Sequence, residues 1–476
     1  MHRRMNKLFK KWFYLFSFIF PLLCGCSLIP EYQRPPSPVS AEWPTGKAYE
    51  GTENGDTQWK AEKLPWKNFF TDASLQEIIG LALQNNRDLR LAALNMERAR
   101  ALYGIQRAEL LPSVQGVGVV SKQRLPADLS STGSPMIAEQ DSVTVGFIGW
   151  EIDFFGRIRS LATRAREEYL ATDEARRSAQ ILLISSVGTV YLTLAADREN
   201  LKLAVSTLET QEGNYKIIRK RFEVGIANEL DLKRAQSQVD TARGDVARYT
   251  QLEALDINAL DLLAGTVVPP RLLPTDLAGV KPLREITPGL SSAVLLERPD
   301  VLASEHQLKA ANANIGAARA AFFPSIALTT GIGTASADLS GLFKGGSTAW
   351  SFIPQISIPI FDPRVWSAYE FTKVEREIAL TQYERTIQEA FREVADALAV
   401  KGTVNQRIEA QKSLVEAFES AYRLSDKRYM KGIENYLSVL DAQRSLLNAQ
   451  QGLILLQLLQ LNNHVTLYKV LGGGIL

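Results

Sequence analysis

Histidine and cysteine are scarce in this chain. Its 476 residues hold three histidines, His2, His306 and His464, and two cysteines, Cys24 and Cys26. No Cys/His cluster has metal-ligand spacing, and cysteines this close make no disulfide framework. Neither a metal nor a cofactor is expected. No phosphate loop is present: residues 471–474 are glycine-rich but lie at the C-terminus with no helix after them. Acidic pairs such as Glu229 and Asp231 read as solvated helix charge, and no Ser/His/Asp order stands out, so an enzyme is not expected. The formal net charge is only +2, which argues against a nucleic-acid partner. Residues 181–196 run sixteen positions without a charge. That falls short of a membrane-spanning helix, and Ser185, Ser186 and Gly188 suit a crowded helix–helix contact better. At 46% hydrophobic and 22% charged, the composition is nonetheless that of a folded protein.

What is present begins with an address. Arg3, Arg4, Lys7, Lys10 and Lys11 precede an apolar core at residues 12–23, too short to span a bilayer as a helix. Leu23-Cys24-Gly25-Cys26 follows, similar to the bacterial lipoprotein box. In that reading residues 1–25 are removed and Cys26 is lipidated as the first mature residue. The alternative is an ordinary signal peptide with an incidental cysteine. Residue 27 is Ser and not the inner-membrane retention residue Asp, which points to the outer membrane. Removing five basic residues and no acidic one takes the net charge to −3. Residues 29–38 are proline-rich, so they favour extended polyproline II and read as a tether between lipid and fold.

The chain then says the same thing twice. Residues 220–236 read KRFEVGIANELDLKRAQ and residues 427–443 read KRYMKGIENYLSVLDAQ, an offset of 207. An earlier block matches at offset 212, where Asp88, Gly104, Arg107, Pro112 and Ser113 meet Asp300, Gly316, Arg319, Pro324 and Ser325. Two blocks in one order at nearly one offset mean a duplicated unit, not a solenoid. Each half predicts a helix (about 74–109 and 290–321), a Pro-Ser break, two strands and a long helical hairpin. The strands carry a clear alternation in Trp350, Phe352, Ile356, Ile358 and Ile360, and in Ile326, Leu328 and Ile332. The alternation is brief in Val143, Val145 and Phe147 and poor over residues 112–120. Such runs fit half-buried strands or tilted membrane strands. In a membrane, four strands could not close a barrel, so copies would have to pool them.

Leu232, Ala235, Val239, Ala242, Val246 and Tyr249 are spaced alternately three and four apart, as are Val439, Ala442, Leu446, Ala449, Leu453 and Leu456. This is a coiled-coil seam. The arm preceding the first seam runs from about residue 157 to 222 without proline, on the order of 100 Å of helix. Gly225 and Gly432 are where each hairpin turns back. The Lys-Arg pair before each glycine suits the carbonyl end of the incoming helix.

The order of these features resembles the outer-membrane factor family of tripartite efflux pumps (the TolC/OprM family), in its lipoprotein branch. Further marks are Trp66-Lys67-Asn68-Phe69-Phe70, Asn85-Asn86, Asp153-Phe154-Phe155-Gly156-Arg157 and Phe361-Asp362. The family usually continues the last with Gly-Gly-Arg, where this chain has Pro363-Arg364. The resemblance implies a mainly α fold with a membrane β-barrel, made by a homotrimer that closes twelve strands and joins its hairpins into a periplasmic α-helical tunnel. It implies a passive exit duct for small molecules, drugs or toxic compounds, held in the outer membrane. The partners it implies are a periplasmic adaptor at the Gly225 and Gly432 turns and a proton-driven inner-membrane transporter. A duct of the same fold for protein secretion, and a lipid-anchored coiled-coil adaptor without a pore, remain as alternatives.

The expected division is 1–25 signal peptide, 26–65 lipid-anchored Pro-rich segment, 66–285 first repeat and 286–476 second repeat. The first repeat holds strands at about 112–153 and a hairpin at about 157–265; the second holds strands at about 324–361 and a hairpin at about 364–470. Leu437, Asp441 and Arg444, four and three apart, share one face just past the second turn. Spacing alone allows an ordinary solvated face. The resemblance places them at the periplasmic constriction, with an inter-helix bond from Arg444 as a candidate latch. Their first-half counterparts, Leu230, Arg234 and Ser237, differ in charge.

Overall fold

The computed structural model describes residues 27–50, 64–281, 283–285 and 291–473. The chain divides into two compact units. Among the described residues, one comprises 27–35, 95–172 and 304–383; the other comprises 36–50, 64–94, 173–281, 283–285, 291–303 and 384–473. Seven helices of more than one turn are described: α1 (Ala73–Asn85), α2 (Arg87–Ala108), α3 (Arg157–Glu223), α4 (Glu229–Ala264), α5 (Pro299–Ala320), α6 (Pro363–Met430) and α7 (Tyr436–Val470). The strands are β1 (Gln115–Leu125), β2 (Met136–Glu151), β3 (Ser325–Ser336) and β4 (Thr348–Ser357).

The helix expected over 74–109 is two helices. Asn86 sits at the break: its backbone N–H closes α1 on the Ala82 carbonyl at 2.9 Å, its Oδ1 starts α2 by accepting from Leu89 N–H at 2.9 Å, and its Nδ2 donates to the Leu263 carbonyl of α4 at 3.0 Å. The second half breaks likewise, with a 3-10 stretch Ser292–Glu297 before α5, which begins on Pro299.

The strands form one antiparallel sheet in the order β1-β2-β3-β4. Directly opposed residues share a face, so Val145, Ile332 and Trp350 line up across three strands, and Phe147, Thr330 and Phe352 do so one row on. This face is exposed and apolar, with Trp350, Phe352 and Ile356 all open. Glycine is required where β2 and β3 approach most closely: a Cβ on Gly333 would overlap the Val143 carbonyl, and one on Gly146 the Thr330 carbonyl. Gly149, at φ +66°, sits in a bulge between Phe147 and Trp150, and its N–H donates to Thr329 Oγ1 at 3.0 Å. β4 ends at Ser357, so Ile358 and Ile360 lie beyond the strand they were expected to continue. Within one chain β4 is an edge strand, which tolerates Pro354 in its interior.

Both strand-to-helix junctions are built from charge pairs. Glu151 holds Arg157 at 2.7 and 2.9 Å, and Asp153 accepts the Arg159 N–H at 2.9 Å. Phe155 stacks on Phe323 with centroids 4.8 Å apart. In the second half Asp362 takes the Arg364 backbone N–H at 3.0 Å and its guanidinium at 2.8 and 2.9 Å. The acid–arginine contact therefore survives where Pro363 replaces the expected glycine pair.

The uncharged run at 181–196 is core. Ile184, Val187, Leu192 and Ala195 are fully buried, and a Cβ on Gly188 would press into the Phe70 ring beside Val465. Phe69, Phe70 and Tyr468 form an aromatic cluster in the same unit, with Phe69 and Tyr468 centroids 4.5 Å apart. This is the crowded helix contact that its serines and glycine suggest.

The proline-rich segment makes contacts that its sequence did not announce. The part of it that is described, read from the sequence as a tether between lipid and fold, lies docked along the fold as a strap. In the first unit, the Leu28 carbonyl accepts from Arg319 at 3.4 Å and the Pro30 carbonyl from Asn312 at 2.8 Å. Glu305, buried on α5, binds Arg34 at 2.6 and 3.1 Å, Tyr32 at 3.1 Å and Lys309 at 3.0 Å. In the second unit, Ser292 donates to the Ser40 carbonyl at 2.5 Å, and Trp43 stacks on Phe391 at 5.2 Å.

Candidate functional site: the hairpin turns and the polar layer of α7

The repeated Gly-Ile-x-Asn is a complete connection between antiparallel helices. Gly225 has φ +76° and Gly432 +74°, the left-handed geometry that ends a helix. Gly225 N–H donates to the Phe222 carbonyl at 3.0 Å and Ile226 N–H to the Arg221 carbonyl at 2.8 Å. The second turn repeats both bonds, Gly432 to Tyr429 at 2.9 Å and Ile433 to Arg428 at 3.0 Å. Three residues after each glycine an asparagine starts the returning helix. Asn228 Oδ1 accepts from Asp231 N–H at 2.8 Å, and Asn435 Oδ1 from Ser438 N–H at 3.1 Å. The sequence reading found the glycines but missed the asparagine caps, whose signal was their identical spacing in both halves.

The arginines before the turns do more than face helix carbonyls. Arg221 lies over the Tyr429 ring at 5.1 Å, which ties one hairpin to the other. Arg428 bridges its own turn to Glu434 at 3.0 Å. Behind the turns, Ile218, Ala235, Tyr436, Val439 and Leu440 form a buried cluster, with Tyr215, Leu232, Tyr422 and Tyr429 packed against it. Tyr429 and Tyr436 have centroids 5.3 Å apart. Burial pushes the Tyr436 phenol above its usual range, so it stays neutral. The expected seam is present in Ala235, Val239, Ala242 and Tyr249 of α4, all buried. On α7 it is wider than a heptad stripe, because Tyr436, Leu440 and Gln443 join Val439 in burial.

Leu437, Asp441 and Arg444 fall on the face of α7 away from this cluster. Leu437 is 41% exposed, large for a leucine so close to a core. Asp441 accepts from Arg444 Nη2 at 2.9 Å, and both side chains are more than half exposed. Within one chain, then, the charge pair is an intrahelical one and not a bond between helices. The first-half counterparts carry a similar pair, three residues out of step. Leu230 is 57% exposed, and Arg234 lies 3.8 Å from Asp231 on its own helix. Further exposed apolar groups at the two turns are Phe222, Val224, Ile226, Met430 and Ile433. Cys26, the candidate lipid site, lies outside the described residues. Among the described residues no group of three or more His, Cys, Asp or Glu side chains is placed to hold a metal.

Comparison with known proteins gives a consistent result. The model of the family described as outer membrane efflux protein matches residues 78–266 and 290–473. The toluene efflux pump outer membrane protein TtgC of Pseudomonas putida is 47% identical over 454 residues, covering 95% of this chain and 93% of its own. The crystal structure of a membrane protein from Pseudomonas aeruginosa superposes with a TM-score of 0.87 at 39% identity, covering 94% of this chain and 98% of its own. The open state of the Neisseria gonorrhoeae MtrE outer membrane channel gives 0.83 at 34% identity, over 94% and 98%.

Proposed function

Since this chain belongs to the outer membrane efflux protein family, we propose that three copies close their sheets into one barrel and join their hairpins into a periplasmic duct, narrowed by Leu437, Asp441 and Arg444. The protein is an outer-membrane channel of a tripartite efflux system, a passive duct and not an enzyme. It works with a periplasmic adaptor and an inner-membrane transporter. The observation that carries the trimer is the four-stranded sheet with an unpaired strand at each edge and an exposed apolar face. Open strand edges are not tolerated in lipid, and four strands are too few to close. Three copies supply twelve. α2 supports the same reading, since no residue along it is buried within one chain although Leu91, Leu102 and Ile105 are apolar.

The turns at Gly225 and Gly432 dock the adaptor, offering it Ile226 and Ile433 on a rigid backbone. Cys26 carries the lipid, a second anchor beside the barrel, and its mature mass decides the matter: an unmodified Cys26 removes the anchor from the account. The exported compounds are small organic molecules of the class that the toluene pump's name indicates. Deleting the gene from its host should raise susceptibility to toluene and similar compounds, and the wild-type gene should restore resistance. Unchanged susceptibility in the deletion strain would overturn that substrate class.

A further inference from the structure

One carboxylate in the sheet has no use in the duct. Asp141, on β2, is 1% exposed, and neither of its carboxylate oxygens has a hydrogen-bond partner among the described residues. Burying a charge without compensation is costly. Asp141 lies opposite Ser336 of β3 on one side and Val120 of β1 on the other. Two residues along β3 on the same face stands Thr334, opposite Val143, and its Oγ1 is likewise buried without a partner.

The loop between β3 and β4 folds back over this spot. Asp338 caps its turn, accepting from Gly341 N–H at 2.8 Å and from Ser340 Oγ at 2.6 Å. Ser347 Oγ donates to the Gly341 carbonyl at 2.8 Å. Gly341 is pressed so closely on Ser336 Oγ that a Cβ there would overlap it, and Leu342 is buried beside it. Ser336 Oγ receives only a long 3.4 Å bond from Asp338 N–H.

Lys122 attracts Asp141 through space, but its ammonium is committed to another carboxylate. Lys122, on β1, gives its ammonium to Glu139 at 2.7 Å and is 61% exposed. Lys344 lies exposed on the loop beside Asp338. The side-chain oxygens on this face are hard donors: the Asp141 carboxylate and the Thr334 and Ser336 hydroxyls. Oxygen-only donor sets of irregular geometry suit Ca²⁺, which accepts six to eight such ligands, whereas Mg²⁺ demands a near-ideal octahedron.

We infer that Asp141, Thr334 and Ser336 form a binding site for a hard divalent cation, Ca²⁺ best, at the end of the sheet remote from Arg157 and Pro363. The bound ion staples the loop at 338–347 to β2 and stiffens that rim of the barrel. With a single carboxylate the site is weak, with a Kd on the order of 0.1–1 mM, as in extracellular calcium modules.

The test uses the full-length protein in non-ionic detergent, dialysed against radioactive Ca²⁺ at constant ionic strength. Wild type should take up one saturable Ca²⁺ per chain; Asp141→Asn, which keeps the shape, should lose it, and Thr334→Val should weaken it. Trypsin supplies a second readout, since Lys344 is exposed on the loop. Ca²⁺ should slow cleavage after Lys344 several-fold in wild type and leave the Asp141→Asn rate unchanged. Uptake equal in wild type and Asp141→Asn would mean an adventitious ion only. Absence of saturable uptake by wild type would also overturn the site, whether or not the variants fold. Neither outcome bears on the trimer or the efflux role.

Discussion

Single carboxyls in this chain are settled in opposite ways by what surrounds them. Glu305 is buried, which alone would raise its pKa, but bonds from Arg34 and Lys309 win and hold it below the usual carboxylate range. Its strap contacts were illegible in the sequence, because Tyr32 and Arg34 find Glu305 across some 270 residues and no local pattern joins them. Asp256, on α4, is the reverse case. Burial first, and then the Asp197 carboxylate beside it, push it up to about 7. Asp197 is itself raised by burial, with Arg248 pulling the other way. A carboxyl held neutral in the fold is lost as stabilisation when pH rises. The unfolded chain releases the proton near pH 4, while the folded chain keeps it until about pH 7. Stability should therefore decline from pH 4 to pH 7 and level off above. Asp256→Asn should flatten that slope in thermal unfolding scans. A wild-type midpoint that rises steadily from pH 5 to pH 8, unaltered in Asp256→Asn, would show the pair to be solvated.

Among the elements, the hairpins were the most legible part. Their seams repeat over many turns, and their turns need glycine for a backbone reason that shows in sequence. The sheet was less legible. Gly116 and Gly118 blur the alternation of β1, and the bulge at Gly149 shifts the register of β2. The break between α1 and α2 was missed because Asn86 interrupts no apolar period; its cap on Leu89 is local, but the bond that anchors it to Leu263 crosses to another helix. The turns give a direct prediction. Nothing lies within 4 Å of a Cβ placed on Gly225 or Gly432, so Ala at either site costs only the left-handed backbone, about 1–2 kcal/mol. Amides of the last turn of α3 or α6 should then exchange roughly tenfold faster. Asn228→Ala and Asn435→Ala should each cost about 1 kcal/mol at the start of the returning helix. Bulky residues at the glycines should impair efflux while trimer yield holds, if these turns are the docking points. Normal efflux in both glycine variants would move docking elsewhere.

At the scale of the whole molecule, the proposed trimer would turn the exposed faces into interfaces. The apolar face of the sheet, its two free edges and α2 all lack cover in one chain, so a stable monomer in detergent would refute the assembly itself. The same symmetry gives the polar layer of α7 its meaning. In one chain Asp441 and Arg444 are an exposed intrahelical pair, worth at most about 1 kcal/mol. Around a three-fold axis, three such pairs and three copies of Leu437 would face one another. In that arrangement the pair would keep each carboxylate neutralised where like charges converge, and Leu437 would supply the apolar constriction. Removing either partner should both widen the layer and unbalance it. Arg444→Ala leaves a ring of carboxylates and should favour cations; Asp441→Ala leaves a ring of guanidinium groups and should favour anions. Leu437→Ala should raise conductance without changing selectivity. Planar-bilayer recordings separate these effects, since conductance reports width and reversal potential reports charge. Should conductance and reversal potential stay at wild-type values in all three variants, the narrowest point of the duct lies at another layer, and the exposed leucine of α7 has some other partner.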